Sequence, residues 1–379
     1  MVDSLRGLTW DHPRGYCVLD ELARLDSIGV NPFGSVHSPA VWDRQPLVNF
    51  EATPLRELAD IYDLLVIDHP NLGQAVDDGA LLALDELFDE SELMAWRVRA
   101  VGSTFDCYNL RGRQWALPID AAAQVGVKSE SLAAEAPKTW GDACVLAKEV
   151  PTVLCLGGPH AFLMLQAMCV ALGQPEDGEH EYAIEPSVGG EALEVMAELL
   201  DNADRELSML DPIGVLEAMS AGGPAYCPLV FGYATYSKRN QGALTFFDAP
   251  EGGTGRIGSV LGGAGIAISS HVRDTSAAAE HLRRLLDVRV QQDLYEVFGG
   301  QSMDTEVWSD TAGLNSLASQ FYLGTRKTLE QAWVRPRCAG YTAFQALASY
   351  FVRSGLYERA SGESILSALN ASYRSLKGM

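Results

Sequence analysis

Short apolar runs alternate along this chain with stretches whose apolar residues recur three and four apart, and that alternation predicts its elements. Leu5–Thr9 and Tyr62–Val66 read as strands. Val18–Ile28 carries Leu19, Leu22 and Leu25 on one helical face, and Pro54–Tyr62 does the same with Leu55, Leu58 and Ile61. A helix from Gly73, the loop Asp77-Asp78-Gly79 and short helices at Leu81–Leu87 and Glu92–Val98 follow. The order β-α-(β)-α-β-α is the mark of a doubly wound sheet.

Beyond it, Trp115–Asp120 is an apolar strand with an internal proline, and Gln124–Val127 continues extended, as expected of a crossover between domains. Thr139 and Asp142 form the pattern of a capping box at a helix start. Helices are expected over Ala161–Leu172, Gly189–Asn202, Leu210–Ser220 and Ala277–Val288, with more at the C-terminal end. Strands are expected at Ala225–Tyr233, Leu244–Phe247 and Ser259–Ser269. The last is broken by glycines inside the strand, which permit close approach of a ligand or another strand. No Lys-Ser/Thr follows them and they open no helix, so they are neither a phosphate loop nor a dinucleotide fingerprint.

Candidate chemistry sits where two strands stop. Trp10-Asp11-His12-Pro13-Arg14 and Ile67-Asp68-His69-Pro70 each end an apolar run in Asp-His-Pro. Proline fixes its own φ and donates no amide, so it ends the strand and turns the chain outward. In open α/β sheets the groups just past the carboxyl ends face the ligand crevice. The plainer alternative is that each Asp caps the next helix and each His packs.

Composition narrows the partners. At 379 residues two domains are expected. The 50 acidic and 28 basic residues leave a net charge of −22, which repels phosphate backbones and anionic bilayers. Nucleic acid and membrane surfaces are therefore not expected partners, and no stretch has the length of a membrane span. The start, Met1-Val2-Asp3, resembles no export signal. The cysteines (17, 107, 144, 155, 169, 227 and 338) lack metal-ligand spacing, and the expectation is reduced thiols in a cytoplasmic protein. Removal of a leader would instead place it in the periplasm or outside the cell. Neither metal nor cofactor is expected, and the chain is expected to be a monomer or weak oligomer.

Several of these stretches together resemble a known family. Trp115–Asp120, the helix start Pro137–Gly141, Phe231-Gly232-Tyr233, and Leu261–Ser269 followed by a helix and Val290-Gln291-Gln292 are similar to the extracellular solute-binding proteins of bacterial ABC importers, in the sugar-type, maltose-binding-like group. A subgroup resembles the chain further in Trp10–Gly15 and Arg335–Tyr341. The resemblance implies a type II periplasmic-binding-protein-like fold: mixed sheets flanked by helices, in two lobes that close on a ligand by a hinge. It implies a first lobe of 1–119 plus 246–300 and a second of 120–245 plus 301–379. Carried over residue by residue, it implies ligand contacts from Trp10, Asp11, His12, Asp68, His69, Asp120, Phe231, Tyr233, Gly263 and Arg337 in the cleft between lobes. Exported members carry a signal this sequence lacks, so delivery to an ABC permease is not expected.

Two functions follow. In the first, the chain binds a small polar organic ligand that is sugar-like, aromatic or carboxylate-bearing. Trp10, Phe231 and Tyr233 would stack on it, Asp11, Asp68 and Asp120 would accept its hydroxyls, and Arg14, Arg335 or Arg337 would take a carboxylate. In the second, it is a cytoplasmic enzyme recruited from that fold, a lyase, isomerase or cyclase. His12 and His69, with Asp11 and Asp68, would then supply cofactor-free acid/base catalysis.

Overall fold

A computed structural model describes residues 4–30, 32–34, 38–174, 182–253, 255–309 and 317–378. The chain divides into two compact units. Unit 1 comprises Met1–Ala122, Gly262–Leu314 and Arg335–Thr342; unit 2 comprises Ala123–Leu261, Asn315–Val334 and Ala343–Met379.

Unit 1 is built on a sheet of four consecutive strands. β1 (Leu5–Trp10) leads into α1 (Pro13–Ser27), and β2 (Ala40–Gln45) and β3 (Leu64–Ile67) pair parallel with β1 on either side. The strand Leu261–Ile268 then pairs antiparallel with β3, Ile67 opposite Gly265. β3 is buried at every residue, as a strand covered on both faces must be, and this explains its unbroken apolar sequence. The carboxyl ends of β1 and β3 and the amino end of Leu261–Ile268 therefore share one edge. Helix Thr275–Leu285 buries Ala278, Leu282 and Leu285 in a core with Leu5, Leu22, Leu64, Val66 and Ile266. In that core Trp10 packs 5.1 Å from Phe50, and its indole covers Gly15 so closely that a Cβ there would lie 2.5 Å away.

Unit 2 pairs the later part of strand Ala116–Ser129 antiparallel with Tyr226–Phe231 and with Leu244–Phe247. Helix His160–Ala171 is buried on every side, which its sequence of almost only apolar residues requires. Phe162 meets Phe344 edge-on at 5.4 Å, so the long helix Tyr341–Glu358 packs against it. The capping box at Thr139 and Asp142 forms as the sequence predicts. Among the described residues no helix is long and apolar enough to cross a membrane.

The division differs from the expected 1–119 plus 246–300 and 120–245 plus 301–379. Leu244–Phe247 stays in unit 2 because it pairs with Gly126–Ser129. Leu261 still belongs there because its N–H donates to the Trp333 carbonyl at 2.8 Å. Late in the chain, Arg335–Thr342 returns to unit 1 as a short clip, a segment that the sequence reading assigned to the other lobe. The clip lies against the start of helix Leu72–Asp77, where a Cβ on Gly73 would fall 1.7 Å from the Arg337 carbonyl oxygen.

Backbone against backbone leaves no side chain to move aside, so Gly73→Ala should displace the clip. A loss on the order of 2–4 kcal/mol is expected, seen as a lower urea midpoint and melting temperature.

Candidate functional site

The two Asp-His-Pro turns lie on the shared strand edge of unit 1, and they are built differently. At the end of β1, His12 rather than Asp11 caps the helix: its backbone is extended, and its Nδ1 accepts the Arg14 N–H at 3.2 Å. Pro13 occupies the first helical position, where a missing N–H costs nothing. Asp11 stays exposed, its nearest cation being Arg44 at 3.8 Å. At the end of β3, Asp68 and His69 are both buried, and His69 opens a short 3-10 turn. Asp caps neither helix start through its side chain.

The buried carboxylates are held by arginines of the same unit. Arg14 faces Asp120 through the Nε and Nη2 edge of its guanidinium, with Nε 2.9 Å from Oδ1 and Nη2 on Oδ2. Arg335, from the clip, donates from Nη2 to both oxygens of Asp68 at 2.8 and 2.7 Å. The Arg335 backbone N–H also donates to His69 Nε2 at 3.3 Å. His69 Nδ1 lies 3.4 Å from Asp68 Oδ1, a close electrostatic approach without hydrogen-bond geometry.

Tyr108 sits among these groups. Its hydroxyl donates to the Ile67 carbonyl at 3.2 Å, and its ring meets His69 edge-on at 6.3 Å. Burial, and after it the negative groups around it including Asp68 and Asp120, raise its phenol well above the usual value. Sequence reasoning missed Tyr108, which belongs to no motif. Its only sequence trace is Gly265, where a Cβ would touch the ring at 2.6 Å.

Protonation follows from burial and pairing. Burial alone would raise the Asp68 carboxyl, but the Arg335 charge with His69 outweighs it and holds the group at about 2. Burial and then Arg335 lower His69 to about 4, against the pull of Asp68. A neutral, fully buried imidazole whose Nε2 already accepts an N–H is a weak base and offers a substrate no approach. Elsewhere in unit 1, burial and Arg284 lower His281, packed 5.9 Å from Trp42, also to about 4.

The remaining candidates are distributed as follows. Trp10 lies in the core of unit 1 rather than at a surface. Gly263 has φ +95, and a Cβ there would lie 2.3 Å from the Asp120 carbonyl oxygen, so its close approach is to the chain itself. Arg337 donates from Nη1 to the carbonyls of Asp106, Cys107 and Asn109 at 2.8–3.1 Å. In unit 2, Phe231 ends its strand half-buried, 5.8 Å from His160 in an edge-on pair. Tyr233 is buried and meets Tyr236 edge-on at 6.2 Å. Unit 1 thus brings Arg14 to Asp120 and Arg335 to Asp68 and His69, and leaves Asp11 open. Among the described residues no three His, Cys, Asp or Glu are grouped to hold a metal.

The fold is one shared with solved solute-binding proteins, maltose- and maltotriose-binding ones among them. No family model and no curated protein matches the sequence. Among solved structures, the maltose/maltodextrin-binding domain of Bdellovibrio bacteriovorus, bound to maltotriose, matches with a TM-score of 0.78 at 12% identity, covering 100% of both chains. An ABC transporter solute-binding protein of Agrobacterium radiobacter, in complex with ribitol, matches at 0.77 and 18% identity, covering 98% of each chain. The maltotriose-binding protein of Thermus thermophilus matches at 0.75 and 15% identity, covering 99% of this chain and 100% of its own.

The pKa values set an acid limit. A histidine lowered from 6.5 to about 4 stabilises the fold fully above 6.5, and that contribution is lost as pH falls from 6.5 towards 4. Each of His69 and His281 should therefore cost about 2 kcal/mol between pH 7 and pH 5. The urea midpoint should drop over that interval. His281→Leu should flatten the drop, because it removes one of the two titrating groups. Asp68, lowered from 3.8 to about 2, adds a further loss only as pH falls below 3.8. Asp68→Asn should cost roughly 3–5 kcal/mol at pH 7, since it leaves the Arg335 charge buried and uncompensated.

Proposed function

We propose that this protein binds a small, neutral, polyhydroxylated molecule, a sugar or polyol, and releases it unchanged. What supports this reading is the whole-length likeness of its fold to proteins recorded with maltotriose and ribitol. The observation that carries it over the enzyme alternative is the engagement of both histidines: His12 as a helix cap, His69 buried against Arg335. The buried ion pairs act as scaffolding in this reading, fixing the backbone of the strand edge so that little ordering is left to binding. Of the candidate carboxylates Asp11, Asp68 and Asp120, only Asp11 is exposed to accept hydroxyl hydrogens.

Calorimetric titration with maltose, maltotriose, ribitol and D-mannitol tests the proposal, with mass spectrometry of the recovered ligand. At least one should bind and return with its mass and its NMR spectrum unchanged, since an isomer would keep the mass. Asp11→Ala should weaken that binding about tenfold, about 1.4 kcal/mol, without moving the melting temperature. Failure of all four to bind, or a product of altered mass or spectrum that disappears in His12→Ala, would sink the reading.

A further inference from the structure

Unit 1 holds a pocket of about 630 Å³, large enough for a small organic ligand, whose lining does not include Asp11. Helix Glu90–Arg99 presents Glu90, Leu93, Met94 and Arg97 to it, residues spaced three and four apart along one face. Phe88 and Phe105 add aromatic wall; Asn109, Gln114 and Arg337 add polar wall.

The charges there are unequally engaged. Asp85 is paired with Arg113 at 2.9 Å, and Asp106 with Arg97 at 2.8 Å, so those acids and bases satisfy one another. Arg337 differs. Its Nη1 is pinned by the carbonyls of Asp106, Cys107 and Asn109, which orients the guanidinium. Among the described residues no carboxylate lies within ion-pair distance of it, and its Nε and Nη2 meet no acceptor. Nε and Nη2 form the edge that takes a carboxylate through two parallel bonds, the edge that Arg14 turns to Asp120 in the same unit. A cation fixed in orientation, with its fork unused, beside Phe88, Leu93, Met94 and Phe105 suits an anion with an apolar body. Gln114 is 3% exposed and is held in the wall by donating from Nε2 to the Phe105 and Ala116 carbonyls.

We infer that this pocket is a binding site for a small apolar carboxylate, its carboxyl on the Nε and Nη2 edge of Arg337 and its body against Phe88, Leu93, Met94 and Phe105. The site is independent of the sugar or polyol reading. It calls for an acid with a hydrocarbon or aromatic tail, whereas polyol recognition calls for hydroxyls.

The test titrates the full chain with 3-phenylpropanoate and with its uncharged amide, 3-phenylpropanamide, followed by calorimetry and ligand-observed NMR. The acid should bind at least tenfold more tightly than the amide. Met94→Glu puts a negative charge on a side chain that is already 46% exposed, and should weaken the acid at least tenfold with an unchanged melting temperature. Arg337→Lys keeps the charge but loses the fork, and should weaken it several-fold. No binding of the acid, equal binding of acid and amide, or full affinity in Met94→Glu would overturn the assignment. The response to maltose or ribitol should be the same in Met94→Glu as in the parent chain, which separates failure here from failure of the polyol reading.

Discussion

Asp68 stays ionised in the interior of unit 1 chiefly because the Arg335 guanidinium reaches both of its oxygens, with His69 adding to the pull. Isolated, a buried carboxylate would be protonated or would force its strand end open to water. The partner comes from a clip more than 260 residues later, with a sequence separation of 267. That one contact therefore fixes the end of β3 and the place of Arg335–Thr342 together. Arg14 and Asp120 do the same across a separation of 106, tying the start of α1 to the strand Ala116–Ser129. Removing one member of such a pair costs far more than the pair contributes net, so it makes a sharp constraint even where it adds little stability.

Other features lean on these contacts. Gly263 and Gly265 let the strand Leu261–Ile268 pass against the Asp120 backbone and the Tyr108 ring. Tyr108 in turn reaches the Ile67 carbonyl beside Asp68. Gly73 gives the clip room to lie down, and Arg337 holds it from its far side through the Asp106, Cys107 and Asn109 carbonyls. The edge of unit 1 is thus a layer of neutralised charge, and the groups that remain open on it are few. This is why the repeated Asp-His-Pro turn does not yield two copies of one site. The local sequence is nearly the same, but Asp11 has only the distant, exposed Arg44 while Asp68 has a buried arginine.

Both histidines illustrate how a reactive side chain is diverted to architecture. The imidazole of His12 does the work more often done by Ser or Asp at a helix start. His69 accepts the clip's N–H and stays neutral to about pH 4. For His69 this leaves neither the access nor the pKa that proton transfer near neutrality requires.

Much of the fold was legible from the amino-acid pattern. Apolar periodicity placed β1, α1, β3, the buried helix at His160–Ala171 and the capping box at Thr139, because each depends on neighbours a few residues away. The family resemblance carried the type of fold, which the whole-length fold match bears out. The pairing of the polar residues was not legible. Asp11, Asp68 and Asp120 look alike in sequence, as do Arg14, Arg335 and Arg337. Which carboxylate meets which guanidinium, and which guanidinium is left with an open fork, depends on contacts across 106 to 267 residues. Local sequence sets the strands, helices and turns through short-range sterics and burial. Only the tertiary structure decides whether a charge at a strand end is spent inside the protein or remains for a ligand.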